Sequence, residues 1–114
     1  RVDPGHMDAH PEWRADPAHA RLDADTLHLP LKIAVQTPGL RFQPLGMEGH
    51  SLKLSDFWIN VRLPKSARAR YPLVFSGETL AWVPLFHPAH PFRITPQTQR
   101  AVHLRIIHAN RIER

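Results

Sequence analysis

Proline limits this chain more than any other residue. Twelve of its 114 residues are proline, roughly twice the usual ~5% share. Each one fixes φ near −65° and removes a backbone donor, so it breaks helix interiors and central strands. Long helices are therefore excluded, and short strands joined by turns are expected. Apolar residues make up 42%, enough at this length for one packed core. No run of 18 apolar residues occurs, so no membrane-spanning segment is expected. No charged-apolar-small leader opens the chain, so no secretion signal is expected either. Cysteine is absent. That rules out disulfides, thiolate catalysis and thiolate metal ligands, and it is compatible with a reducing, cytoplasmic setting.

Arg1–His6 resembles a cloning-derived leader, since His6-Met7 is the dipeptide left by a common cloning site. Residues 8–26 are rich in Ala, Asp, His and Pro without apolar periodicity, with Trp13 the one large apolar group among them. Residues 1–25 are thus expected to be leader and flexible linker, 26–110 the domain and 111–114 a tail. The domain opens on Leu27, Leu29, Leu31, Ile33 and Val35, a period-two pattern that predicts a half-buried strand. Pro30 within it points to an edge or bulged strand. Leu54, Phe57, Trp58 and Val61 have helical spacing behind Ser51 or Ser55 as an N-cap, and Pro64 ends that helix. Lys65–Arg70 predicts a further helical turn. Leu73–Phe75 and Leu80–Val83 around Ser76-Gly77-Glu78-Thr79 predict a β-hairpin. Thr95-Pro96 predicts a capped helical turn through Arg100. Ala101–Ala109 predicts a closing strand.

Charge is unevenly spread. Residues 1–26 carry three bases and six acids, a net of −3, while residues 27–114 carry twelve bases and four acids, a net of +8. The folded part is therefore much more basic than the +5 of the whole chain. Such a balance attracts polyanions, of which nucleic acid is the commonest, although a solvated basic surface with no partner has the same composition.

Five sequence blocks narrow this reading. They are Arg41-Phe42-Gln43-Pro44-Leu45-Gly46-Met47; Lys53-Leu54-Ser55-Asp56-Phe57; Pro64-Lys65-Ser66-Ala67-Arg68-Ala69-Arg70; Leu80-Ala81-Trp82-Val83-Pro84; and Thr95-Pro96-Gln97-Thr98-Gln99-Arg100. In this order they closely resemble the C-terminal domain of tRNA(Ile)-lysidine synthetases, over about Leu31 to Ile107. Four positions depart from that family's pattern. Leu40 stands where Asp is usual, and a lysine pair is reduced to Lys53. Leu85-Phe86-His87 replaces Gly-Leu-Arg, and Pro91 replaces a base.

The resemblance implies a β-rich α+β fold, a compact sandwich or barrel-like domain of the PheT/TilS type with one or two short helices. It is shared with the phenylalanyl-tRNA synthetase β subunit. It also implies a parent enzyme that uses ATP and magnesium to join lysine to the wobble cytidine of the tRNA(Ile) bearing a CAU anticodon. That chemistry belongs to an N-terminal PP-loop domain whose Ser-Gly-Gly-x-Asp-Ser loop does not occur in this sequence. The domain itself is expected to be non-catalytic, to need no cofactor and to grip the acceptor region of the tRNA. The expected RNA-binding residues are Arg41, Lys53, Arg62, Lys65, Arg68, Arg70, Arg93 and Arg100. Long cations on an ordered frame contact phosphates, and arginine does so bidentately.

Competing readings exist for several of these residues. Arg41 and Arg100 also suit structural pairing with Asp56 or turn carbonyls. The aromatics Phe42, Phe57, Phe75, Trp82 and Phe92 read as core, with Trp58 the exception left for base stacking. His50, His87, His90, His103 and His108 are too scattered, without cysteine, to predict a metal site. Ser55, Asp56 and His50 make a weak hydrolase set. Dimerisation through the edge strand or hairpin is the structural alternative, and Pro30 and Pro72 partly oppose it.

Overall fold

The structure is a computed structural model, and it describes residues 17–107. Its centre is an antiparallel sheet in the order β2 (Lys32–Ala34), β5 (Leu73–Ser76), β6 (Thr79–Val83) and β7 (His87–Pro88). Every residue of β5 is buried, as are all but the first of β6. A strand buried at each position has both faces covered, and two separate layers cover them. Leu73, Phe75, Ala81 and Val83 pack with Phe42, Leu54, Phe57 and Trp58 in the main core. Val74 and Trp82 pack with Ala20, Leu104 and Ile106 in a smaller one. A register shift between Val74 and Phe75 lets Phe75 meet Leu80 while Val74 meets Trp82. The β5–β6 turn has Gly77 at φ 59°, the positive φ that the first position of a tight hairpin turn needs.

The layer over the main core starts with a small hairpin, β3 (Arg41–Phe42) and β4 (Leu52–Lys53). It leads directly into α1 (Leu54–Val61), which buries Leu54, Phe57 and Trp58. Their spacing puts them on one helical face, and Ile59 is left 61% exposed. Trp58 is therefore core, 1% exposed, and not a stacking platform. Its indole N–H donates to Gln36 Oε1 at 2.7 Å, which satisfies the polar end that burial would strand. Neither Ser51 nor Ser55 caps α1. Lys53 occupies the N-cap with no side-chain bond, and the Leu54 N–H donates instead to the Leu40 carbonyl at 2.9 Å. At the other end the N–H groups of Arg62 and Leu63 return to Ile59 and Trp58. This closure needs a left-handed residue, and Arg62 supplies it at φ 64°. A single turn, α2 (Lys65–Arg68), follows behind Pro64.

The layer over the smaller core is a two-stranded ribbon, β1 (His19–Asp23) with β8 (Ala101–Arg105). This corrects the linker expected through residue 25, because residues 19–23 are paired strand. The pairing partner lies some eighty positions away, and only Ala20 and Leu22 alternate as apolar groups, so no local signal marks it. The expected strand over 27–35 shortens to β2, an edge strand as Pro30 suggested, and its half-burial is found only in part: Leu27 and Leu31 are half-buried against the two cores. Leu29, Ile33 and Val35 are 67%, 71% and 48% exposed, and Ala34 is the β2 residue that packs on the main core. Ile33 pairs with Val74, so it shares the ribbon-covered face yet lies beyond the cover. Thr95-Pro96 opens a turn and no helix. The Thr95 N–H donates to Thr98 Oγ1 at 2.9 Å, and the Thr95 hydroxyl accepts from the Gln97 N–H.

The fold is thus β-rich with short helices, as expected. Its three sheets stay separate and do not close into a barrel. Among the described residues no helix is long and apolar enough to cross a membrane.

Candidate nucleic-acid interface

The densest cationic segment lies along β3–β4, α1 and α2. Arg41 and Lys53 are direct partners in the hairpin ladder, and both are exposed. Like charges placed opposite each other repel. The Arg41 guanidinium turns to Ser51, its Nε donating to the hydroxyl at 3.1 Å and its Nη2 to the carbonyl at 3.2 Å. Lys53 stands at the N-terminus of α1 and Arg62 at its C-terminus. Eight residues separate them, about 12 Å of helix rise. Lys65 and Arg68 follow on α2, and Arg70 lies just past it. The Arg68 Nε donates to the Leu63 carbonyl at 2.9 Å, which fixes the base of that side chain near the end of α1.

The remaining two cations are placed differently. Arg93 ends a 3-10 turn (His90–Phe92), and its Nη1 donates to the His90 carbonyl at 3.0 Å. That turn is held against β3, because the His90 N–H donates to the Gln43 carbonyl at 2.7 Å. Arg93 therefore belongs with the Arg41 end of the surface. Arg100 precedes β8 on the ribbon and pairs with Asp25 at 3.3 Å. Asp25 also accepts from the Gln99 N–H at 2.9 Å. That backbone bond is the main cause holding the Asp25 carboxyl below its ordinary value; desolvation opposes it, and Arg100 adds to the lowering. Structural pairing thus applies to both arginines, with partners other than Asp56. Among the described residues none of the other seven expected cations has a carboxylate partner.

Beside Arg41 lies an open cleft of about 190 Å³ between β3, the start of β6 and the 3-10 turn. Arg41, Gln43, Ser51, Thr79, Leu80 and Pro91 line it. Nothing in the sequence marked this cleft, because its walls come from three separated segments.

The histidines are dispersed. No group of three or more His, Asp or Glu gathers among the described residues in a way that would hold a metal ion. His108 lies outside the described residues. His19 and His103 stack at 4.9 Å across the ribbon, with His19 Nδ1 2.7 Å from His103 Nε2. Desolvation, followed by the charges of His19, Arg21 and Arg105, lowers the His103 pKa. This pair was missed because His19 falls in the stretch read as linker. Ser55 and Asp56 are exposed on α1, His50 is exposed before it, and no hydrogen bond joins the three.

Comparison with known proteins gives one consistent result. The family model described as the TilS substrate C-terminal domain matches residues 31–106, which include all five sequence blocks and exclude β1. A tRNA(Ile)-lysidine synthase of Symbiobacterium thermophilum is 36% identical over 85 residues, covering 75% of this chain and 17% of that protein. The one from Clostridium acetobutylicum is 30% identical over 84 residues, covering 74% and 18%. The chain therefore spans less than a fifth of the length of these relatives. A crystal structure of a TilS C-terminal domain superposes with a TM-score of 0.65 at 22% identity, over 83% of this chain and 75% of that one. The same fold thus recurs at low identity, and the family match runs from β2 through β8. The chain belongs to the TilS substrate C-terminal domain family.

Proposed function

We propose that this chain is the tRNA-binding accessory domain of a tRNA(Ile)-lysidine synthase. It grips the acceptor region of the tRNA(Ile) with a CAU anticodon while a separate N-terminal PP-loop domain joins lysine to the wobble cytidine. The carrying observation is the run of cations from Lys53 through Arg62, Lys65, Arg68 and Arg70, none paired with a carboxylate among the described residues. Uncompensated cations on an ordered frame exchange their counterions for phosphates, and A-form RNA offers phosphates and 2′-hydroxyls more readily than base edges. Contacts of this kind set position and register and do not read sequence. ATP and magnesium belong, in this reading, to the parent catalytic domain. No metal-holding group gathers among the described residues, and the Ser-Gly-Gly-x-Asp-Ser loop does not occur in this sequence.

A salt titration of the 114-residue chain against unmodified tRNA(Ile), with bulk tRNA as control, tests the proposal. Affinity falling steeply with salt, together with a preference for tRNA(Ile), supports it. No binding at low salt contradicts it. Self-association through β2 is the second reading. It is favoured by the edge position of that strand and the exposure of Leu29, Ile33 and Val35. Sedimentation of the chain alone tests it, a dimer supporting this reading and a monomer at high concentration ruling it out.

A further inference from the structure

Three features of the Arg41 cleft belong together. First, the guanidinium is pinned by two bonds to Ser51, which leaves three of its five N–H donors unused. Second, no carboxylate pairs with it among the described residues, so its charge is not neutralised from within. Third, Pro91 lines the cleft as an apolar ring, and Gln43 and Thr79, whose side chains can both donate and accept, line it too. Neither of those two side chains is committed to another hydrogen bond among the described residues. A pinned cation, an apolar ring and adaptable polar groups match the parts of a nucleotide: phosphate, base face and base edge.

Size decides which form of nucleic acid fits. At about 190 Å³, the cleft is smaller than the ~300 Å³ at which pockets begin to enclose whole drug-sized ligands. As an open cleft it can seat part of one nucleotide, the rest remaining in solvent, and no larger element. An A-form duplex presents a wide, shallow groove and keeps its bases stacked inside, whereas unpaired nucleotides can be splayed out and held on flat side chains.

We propose that this cleft takes one unpaired nucleotide of an RNA strand, its phosphate on the Arg41 fork and its base against Pro91. The inference rests on the tRNA-binding reading and adds to it a site for a single-stranded element, separate from the duplex-facing cations of α1 and α2. Arg93, held beside the cleft by the 3-10 turn, guides the next phosphate.

Amide chemical-shift titration of the whole chain tests this, using three probes: a single-stranded RNA trinucleotide, a blunt RNA duplex and inorganic phosphate. The trinucleotide is expected to shift Arg41–Gln43, Ser51 and Thr79–Leu80. The duplex is expected to shift mainly residues 62–70. Arg41→Ala is expected to weaken the trinucleotide about tenfold or more, as loss of charged hydrogen bonds does. Arg41→Lys, which keeps charge and fold but loses the fork, is expected to recover only part of that. Equal shifts from inorganic phosphate alone would overturn the assignment of a nucleotide, and full recovery by Arg41→Lys would overturn the role of the fork. If whole tRNA binds through residues 62–70 while the trinucleotide leaves the cleft unmoved, the cleft assignment falls and the tRNA reading stands. If the trinucleotide fills the cleft and whole tRNA does not bind, the tRNA reading falls instead.

Discussion

The two layers covering the central sheet treat charge in opposite ways. The β1–β8 ribbon holds Arg100, the expected cation at its edge, in an internal pair. Arg100 meets Asp25, Asp25 also caps the Gln99 N–H, and His19 stacks on His103. The α1–α2 layer shows an aromatic inner side and an unbalanced outer one. Phe57 packs edge-on to Phe42 at 5.1 Å, and Trp58 meets Tyr71 at 5.1 Å. Beyond them Arg62, Lys65, Arg68 and Arg70 find no carboxylate among the described residues. One layer can thus be read as closed scaffold, and the other as a rigid platform whose charge awaits an external partner. Position on the sheet, more than residue type, separates Arg100 from Arg68.

Breaking the aromatic platform should have the largest effect. Trp58→Ala removes a side chain that is 1% exposed and the bond to Gln36, and about 3–5 kcal/mol of stability should be lost. Denaturant unfolding measures this. A loss below 1 kcal/mol would mean that α1 is held by something other than its aromatic face. Leu85 gives an effect of opposite sign. It sits at φ 74°, where a side chain is disfavoured by about 1–2 kcal/mol, and at a position where the resembled family commonly has glycine. Leu85→Gly should raise stability by up to about 1 kcal/mol in the same assay. A decrease would show that the half-exposed leucine contributes more by packing than it loses by strain.

Arg62 separates stability from binding more finely. Glycine suits its left-handed cap better, so Arg62→Gly should leave stability unchanged or raise it by a few tenths of a kcal/mol. tRNA affinity should nevertheless fall several-fold, as one phosphate contact is lost. Equal affinity would remove Arg62 from the platform.

The ribbon should report pH most, and modestly. His103 has a lowered pKa in the fold, so the unfolded chain takes up a proton first as pH falls. Its contribution is full above the ordinary value of 6.5 and is lost as pH falls from there through the lowered value. Asp25 is lowered too. Its contribution is present above the ordinary 3.8 and is lost as pH falls through the lowered value. Thermal unfolding between pH 7.5 and 5.5 should show a decrease that His103→Gln flattens. A variant with an unchanged pH profile would place the effect elsewhere.

Much of this was legible from local pattern. The α1 face, the β5–β6 hairpin and the turn at Pro64 follow from spacing and turn chemistry over a few residues. The five blocks carried the family. Long-range pairing was not legible. β1 meets β8 across nearly the whole domain, and two apolar residues in an acidic stretch do not announce a strand. Trp58 was misjudged because Ile59, the more obvious core residue by hydrophobicity, lies off the helical face. The 27–35 run has the right period, but period alone does not say whether another layer reaches far enough to cover it. For the eight expected cations, the sequence located the charges. Only the structure shows that Arg100 has a partner and that Arg41 is pinned over a cleft.

The account turns on whether the α1–α2 layer is where tRNA binds. The most direct measurement compares the salt dependence of tRNA(Ile) binding for the wild-type chain, the Lys65→Ala/Arg68→Ala/Arg70→Ala variant and Arg100→Ala. Each lost phosphate contact should flatten the log–log slope by about 0.7–0.9. The triple variant should therefore lose about two to three units of slope with similar weakening for every tRNA, while Arg100→Ala changes little. A triple variant with wild-type slope and affinity, or a larger loss from Arg100→Ala, would contradict the account.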